Sequence, residues 1–164
     1  MQLEELKNKL QQEVSKAEFP REHAIDVLYA LQNHYGYLCD EAMADASWIL
    51  GMTLLELEEL ATFYDFLYRR PVGRHILHVC DGVVCWMYHQ YSLLDHLCRK
   101  LGVGPGQTTE DGLFTVLPAG CVGNCHQAPA MLVNGRFYGG LTPEKIDTIL
   151  DDLRVSHEEL AVCR

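Results

Sequence analysis

The chain has 164 residues, which is enough for one domain or two small ones. Hydrophobic residues make up 48% of it and charged residues 22%, a balance that is typical of a folded globular protein and excludes bulk disorder. The net charge of -10 argues against nucleic acid as a partner, because an acidic surface repels a polyanion. The N-terminal residues lack the regions of a signal peptide, and no apolar run reaches the length of a membrane helix. We therefore expect a cytoplasmic protein with no direct membrane insertion.

Residues 1–70 are almost free of glycine and proline, and their hydrophobic periodicity predicts a helical bundle. Asp40 is interpreted as the N-cap of the third helix. Thr53 is interpreted as the N-cap of the fourth, where Glu56 completes a capping box. The four predicted helices run from Leu3 to Val14, from Pro20 to Gly36, over Glu41–Leu50, and from Leu54 to about Tyr64.

Residues 71–164 are richer in β-branched residues and glycine, and they predict a small open sheet with helices packed on it. The turn Asn134–Gly135 is a strong hairpin signal. Strands are predicted at His75–Val79, Leu113–Leu117, Ala130–Val133 and Arg136–Tyr138, and helices at Trp86–Leu101 and from Pro143 to about Arg154. The fold class is therefore α+β, with the domain boundary near residue 70.

Four of the seven cysteines form two closely spaced pairs that follow predicted strands. Cys80 and Cys85 follow the first strand, and Cys121 and Cys125 follow the second. If both loops leave the same edge of the sheet, the four thiolates converge on one point. Glycines in both loops would let the backbone wrap closely around an inorganic core and direct N–H groups at sulfur.

Metal or redox chemistry explains these pairs better than a disulfide framework, because the count is odd and the cytosol keeps thiols reduced. The absence of Cys-x-x-Cys argues against a thioredoxin-type dithiol. The spacing favours a [2Fe–2S] cluster, and a structural zinc site stays open as the main alternative. An apolar rim around the cluster is expected from Val79, Val83, Val84, Val122 and Pro129.

The remaining cysteines, Cys39, Cys98 and Cys163, have no paired spacing and are interpreted as core or surface thiols. No segment carries a dinucleotide or flavin fingerprint. The chain thus has an electron site and no visible hydride site, so NADH chemistry would depend on a partner.

Several segments together resemble one family over about residues 20–154, the thioredoxin-like [2Fe–2S] subunit of the NADH dehydrogenase module of respiratory complex I. Related subunits occur in NAD-linked hydrogenases and formate dehydrogenases. The chain departs from the family at Gly82 and Trp86, where members often have Ser and His. It departs again at His126, where an acidic or other polar residue is common. The segments that carry the resemblance are Ala61–Tyr64, Pro71–His75, Val79–Asp81, Cys121–Cys125 and Leu141–Lys145.

The resemblance implies a thioredoxin-like ferredoxin domain after the bundle, and one [2Fe–2S] cluster held by Cys80, Cys85, Cys121 and Cys125. It implies a non-catalytic redox subunit of an NADH:quinone oxidoreductase, with FMN and NADH on a partner subunit and a further iron–sulfur subunit in the complex. Peripheral attachment to the inner face of the cell membrane would come through those partners. The equivalent subunit of a hydrogenase or formate dehydrogenase is one alternative, and a zinc-stapled interaction module is another.

Overall fold

The computed structural model describes the backbone of residues 2–162 and the side chains of residues 2–155. By its internal contacts the chain divides into two compact units, Met1–Val72 and Gly73–Arg164. The first unit is helical and the second contains a four-stranded sheet, so the predicted α+β class is confirmed.

The first unit consists of four α-helices around one hydrophobic core. Its helices are α1 (Leu3–Lys16), α2 (Ala24–Tyr35), α3 (Asp40–Leu50) and α4 (Leu54–Phe63), with a 3-10 turn at Pro20–His23 before α2. The predicted capping box of α4 is present, because the Thr53 hydroxyl accepts from the Glu56 N–H while the Glu56 carboxylate accepts from the Thr53 N–H. The most deeply buried core side chains include Leu28, Leu31, Leu38, Ala42 and Leu57.

The segment after α4 is fixed to this bundle by two polar side chains. The amide of buried Gln32 donates to the Phe66 carbonyl (2.9 Å) and accepts from the Tyr68 N–H (2.7 Å). The Arg69 guanidinium donates to the Leu38 carbonyl and to the Glu58 carboxylate (2.8 Å). Backbone groups outside the helices are thus satisfied by side chains, as their burial requires.

The N-cap of α3 is Cys39, and the prediction of Asp40 was wrong by one residue. The Cys39 sulfur accepts from the Ala42 N–H at 3.4 Å, and Asp40 is the first helical residue. Cys39 places a hydrogen-bond acceptor at the start of the helix, and Asp40 places a negative charge there. Both features stabilise a helix N-terminus, so the sequence alone does not show which of the two residues is the N-cap.

Because a hydroxyl is a better N-cap acceptor than a thiol, Cys39→Ser is expected to leave the free energy of unfolding unchanged or raise it by up to about 1 kcal/mol. Cys39→Ala removes the acceptor and is expected to lower that free energy by about 0.5–1 kcal/mol. Urea denaturation followed by circular dichroism measures both variants. A Ser variant less stable than the Ala variant would contradict the capping role.

The second unit contains four strands, β1 (His75–Cys80), β2 (Phe114–Ala119), β3 (Met131–Val133) and β4 (Arg136–Tyr138), in the spatial order β2-β1-β3-β4. Strands β1 and β2 are parallel, and the other two neighbouring pairs are antiparallel. The predicted hairpin at Asn134–Gly135 joins β3 to β4. Three further helices belong to this unit: α5 (Val83–Met87), α6 (Gln90–Leu101) and α7 (Pro143–Val162).

The single helix predicted over Trp86–Leu101 is in fact two helices. The chain breaks between α5 and α6 at Tyr88 and His89, and His89 has a left-handed backbone conformation (φ 60°). A left-handed residue cannot continue an α-helix, so the chain changes direction there. The sequence does not indicate this break, because neither the hydrophobic periodicity nor a turn signal at His89 marks it.

Candidate metal centre

The parallel pairing of β1 and β2 brings the two cysteine loops to one edge of the sheet. Cys80, the last residue of β1, lies opposite Ala119, the last residue of β2. Parallel strands point the same way, so the loops Asp81–Gly82 and Gly120–Asn124 begin side by side. The expectation that one edge presents both loops is confirmed.

The four predicted thiols lie close together at this edge. The Cys121 and Cys125 sulfurs are 3.7 Å apart. Cys80 lies near both Cys85 and Cys121, because its side chain shifts the pKa of each of them. Cys80 and Cys85 are each 2% exposed, Cys125 is half-buried and Cys121 is exposed, so one pair lies inside the protein and the other toward solvent.

Backbone N–H groups are directed at two of these sulfurs. The Gly123 N–H lowers the pKa of Cys121, and the hydrogen bond from Cys125 acts in the same direction. Burial raises the pKa of Cys85 to about 11, an effect that the Ala130 N–H opposes. The Cys121 sulfur raises the pKa of Cys125. Donors of this kind stabilise negative charge on sulfur, which a tetrathiolate cluster requires.

A further donor, with no protein acceptor, lies shortly after Cys85. Gln90, the first residue of α6, is 2% exposed, and its side-chain Nε2 has no hydrogen-bond partner among the residues that the structure describes. Buried N–H groups are seldom left unpaired in this way.

Gly82 in the first loop lies against Cys121 in the second. A Cβ at this position would lie 3.2 Å from the Cys121 Cβ and 3.4 Å from its sulfur. The backbone itself is extended (φ -70°, ψ 152°), so only the contact with Cys121 disfavours a side chain. The glycine that departs from the family's usual Ser therefore lies against a predicted ligand.

Gly82→Ala is expected to fold and to take up a cluster whose EPR spectrum is shifted, because the added methyl group displaces Cys121 by a few tenths of an ångström. The loss of unfolding free energy should be about 1 kcal/mol. Gly104→Ala is the matched control, since its Cβ would meet only the flexible Gln107 side chain at 3.4 Å. Spectra that are the same for both variants and the wild type would contradict the contact.

The predicted apolar rim is only partly present. Val79 is buried, and Val122 packs beside Cys80, Cys85 and Ala130. Val83 is 74% exposed, so its assignment to the rim was wrong: α5 turns this side chain toward solvent. The short helix that causes this was not predicted.

The other cysteines do not join the group within the described residues. Cys39 caps α3, and Cys98 is half-buried against the core of the second unit. Cys163 lies outside the described residues.

Among residues 2–155, no three His, Cys, Asp or Glu side chains are arranged around a single metal ion. The donors on the two loops are four cysteine thiols, which is the ligand set that [2Fe–2S] clusters use. The donor set therefore fits such a cluster in its chemistry.

A mixed sheet with two cysteine pairs on adjacent loops at one edge defines a thioredoxin-like iron–sulfur protein. The family model of the thioredoxin-like [2Fe-2S] ferredoxins matches residues 10–154, and the chain belongs to this family. The resemblance seen in the sequence is therefore confirmed.

Similar proteins are components of oxidoreductases. The chain is 37% identical to an NADH-quinone oxidoreductase subunit of Pseudomonas aeruginosa, covering 88% of this chain and 87% of that one. It is 38% identical to the corresponding subunit of Escherichia coli strain K12, covering 87% and 86%. A solved NAD+-reducing [NiFe]-hydrogenase in the air-oxidized state matches with a TM-score of 0.68 at 32% identity, over 79% of this chain and 23% of the hydrogenase chain. These relatives support an oxidoreductase role based on [2Fe–2S] electron transfer.

Across the part of the chain that the structure describes, every helix is too short or too polar to cross a membrane.

Proposed function

We propose that this chain is the electron-transfer subunit of a multi-subunit NADH:quinone oxidoreductase. In this proposal Cys80, Cys85, Cys121 and Cys125 hold one [2Fe–2S] cluster that exchanges single electrons with the flavin of a partner subunit. The observation that carries the proposal is the meeting of these four thiols at one sheet edge, in a chain that belongs to a [2Fe-2S] family. When bound, such a cluster supplies one-electron redox chemistry.

The residues around the thiols support this role. The N–H groups of Gly123 and Ala130 compensate negative charge on the sulfurs. The burial of Cys80 and Cys85 keeps water from half of the ligand set. Both features favour retention of an anionic cluster in a protein environment.

A partner is supported by apolar surface beside the cluster loop. Five large apolar side chains near Cys85 are at least half exposed, more than an isolated protein usually gathers in one short segment. They are Val83 (74%), Trp86 (60%), Met87 (66%), Tyr88 (61%) and Tyr91 (50%). We propose that a subunit which binds flavin and NADH covers this surface, and that attachment to the inner face of the cell membrane comes through the complex.

The hydrogenase match supports a second candidate, the equivalent subunit of an NAD-linked hydrogenase. The same residues would hold the cluster in either enzyme. The proteins that accompany the chain decide between the two.

Purification of the tagged chain from the organism that encodes it tests the proposal. We expect a co-purifying flavoprotein with further iron–sulfur subunits. After the chain is separated from these partners, it should contain iron and acid-labile sulfide at two each per chain. After the complex is reduced with dithionite and the excess dithionite is removed, addition of NAD+ should produce NADH as the EPR signal of the cluster declines. Stoichiometric zinc without sulfide would overturn the proposal, and a [NiFe] subunit would favour the hydrogenase.

Trp86→Gln tests the apolar surface separately. It should reduce recovery of the flavoprotein at least about tenfold, as expected for a buried interface aromatic, and leave the iron content unchanged. Val155→Gln is the matched control, because Val155 is 55% exposed on α7. Equal losses from both variants would contradict a docking role for the apolar surface near Cys85.

A further inference from the structure

The two cysteine pairs differ in their access to solvent. Cys80 and Cys85 are each 2% exposed, whereas Cys121 is exposed and Cys125 half-buried. A small reagent in solution therefore reaches Cys121 first. Access of this kind decides which thiol of a protein reacts in thiol–disulfide exchange.

The exposed pair is also arranged for bond formation. The Cys121 and Cys125 sulfurs are 3.7 Å apart, in van der Waals contact, and a disulfide needs them at about 2 Å. Cys121 lies in the segment between β2 and the 3-10 turn that Cys125 begins. Residues 120–124 lie outside the four described strands, so the loop can make this small movement without breaking a strand pairing.

We infer that, before a cluster is inserted, Cys121 and Cys125 form an intramolecular disulfide with a small-molecule disulfide such as oxidised glutathione as the oxidant. The Cys121 sulfur attacks one sulfur of the oxidant, which forms a mixed disulfide and releases one glutathione. The Cys125 sulfur then attacks the Cys121 sulfur and releases the second. Overall, two cysteine thiols are oxidised to one disulfide while one oxidised glutathione is reduced to two thiols.

This disulfide would act as a redox gate on cluster insertion. Metal ligation requires thiolates, so an oxidised loop offers only the Cys80–Cys85 pair. Exchange with reduced glutathione restores the second pair and permits loading. This consequence rests on the proposed cluster site, whereas the disulfide itself depends only on the geometry of the loop.

Tryptic cleavage separates the possible pairings clearly. Cleavage after Arg74, Arg99, Lys100 and Arg136 leaves Cys121 and Cys125 together in residues 101–136, and places Cys80, Cys85 and Cys98 in residues 75–99. The full chain, freed of metal and reduced, is incubated with oxidised glutathione, then unfolded in urea with N-ethylmaleimide, digested with trypsin and analysed by mass spectrometry. We expect peptide 101–136 to lack two hydrogens and to resist alkylation, while peptide 75–99 carries three alkyl groups.

The pairing should come from the fold. In the native chain the Cys121–Cys125 disulfide should exceed every other pairing at least about tenfold, and in urea the Cys80–Cys85 pairing should compete with it. Cys125→Ser should trap the first step as a glutathione adduct on Cys121. A cross-linked pair of peptides, a dominant Cys80–Cys85 disulfide, or no adduct in Cys125→Ser would overturn the inference.

The gate is tested by anaerobic reconstitution with iron and sulfide. The oxidised chain should bind less than about one tenth of the iron bound by the reduced chain, and dithiothreitol should restore the difference. Equal loading of both forms would overturn the gate. Failure of the reduced chain to load would instead contradict the proposed function, and would leave the peptide result unaffected.

Discussion

Cys121→Ser is expected to reduce the iron and acid-labile sulfide of the purified chain to below half, or to alter the EPR spectrum of the cluster that remains. Serine offers a harder, more basic oxygen in place of a soft thiolate, which suits an iron–sulfur cluster poorly. The change also removes the sulfur that the Gly123 N–H contacts and that lies 3.7 Å from Cys125. Iron and sulfide analysis and EPR of the dithionite-reduced protein are the measurements.

The same substitution at cysteines outside the group provides the control. Cys39→Ser exchanges one helix N-cap for a better one, and Cys98→Ser changes a half-buried thiol on α6. Cys163→Ser, at a position outside the described residues, is a further control. All three should retain full iron and sulfide, and equal effects at Cys121 and at the controls would overturn the ligand assignment.

Much of the candidate site could be predicted from the sequence because it depends on local rules. Cys80 ends β1 and Cys121 follows β2, and parallel strands end at the same edge, so their meeting follows from the order of elements. The capping box at Thr53 and Glu56 is equally local. The spacing of side chains in one segment is sufficient in these cases.

The errors concern features that only tertiary structure determines. Trp86 and Val83 project from a short helix whose end depends on the left-handed conformation of His89, a residue that sequence rules seldom place there. Cys39 caps α3 although thiols are poor caps, because the neighbouring Asp40 enters the helix. The burial of one cysteine pair and the exposure of the other likewise depend on how α5 and the second loop pack.

Gly139→Ala is expected to have the largest effect on stability of the substitutions considered. A Cβ on Gly139 would lie 2.7 Å from the Gln127 Cβ, 2.7 Å from Phe137 Cε1 and 2.8 Å from the Gln127 carbonyl oxygen. Backbone atoms cannot move aside as a flexible side-chain end can, so the strand and the turn must separate. We expect the free energy of unfolding to fall by about 2–4 kcal/mol, in the range of severe overpacking.

This crowding has consequences for the metal centre, because Gln127 ends the turn that Cys125 begins. The segment after Gly139 is hydrogen-bonded to the chain beyond that turn, from the Gly140 N–H to the Gln127 carbonyl (2.6 Å) and from the Leu141 N–H to the Pro129 carbonyl (3.0 Å). A shift of this contact therefore displaces Cys125 from Cys121.

Chemical denaturation and iron analysis should show losses of stability and of cluster together in Gly139→Ala. Gly104→Ala, the control whose methyl group would meet only the flexible Gln107 side chain, should stay within about 0.5 kcal/mol of the wild type. Full stability and full iron content in Gly139→Ala would show that this contact does not hold the Cys125 turn in place.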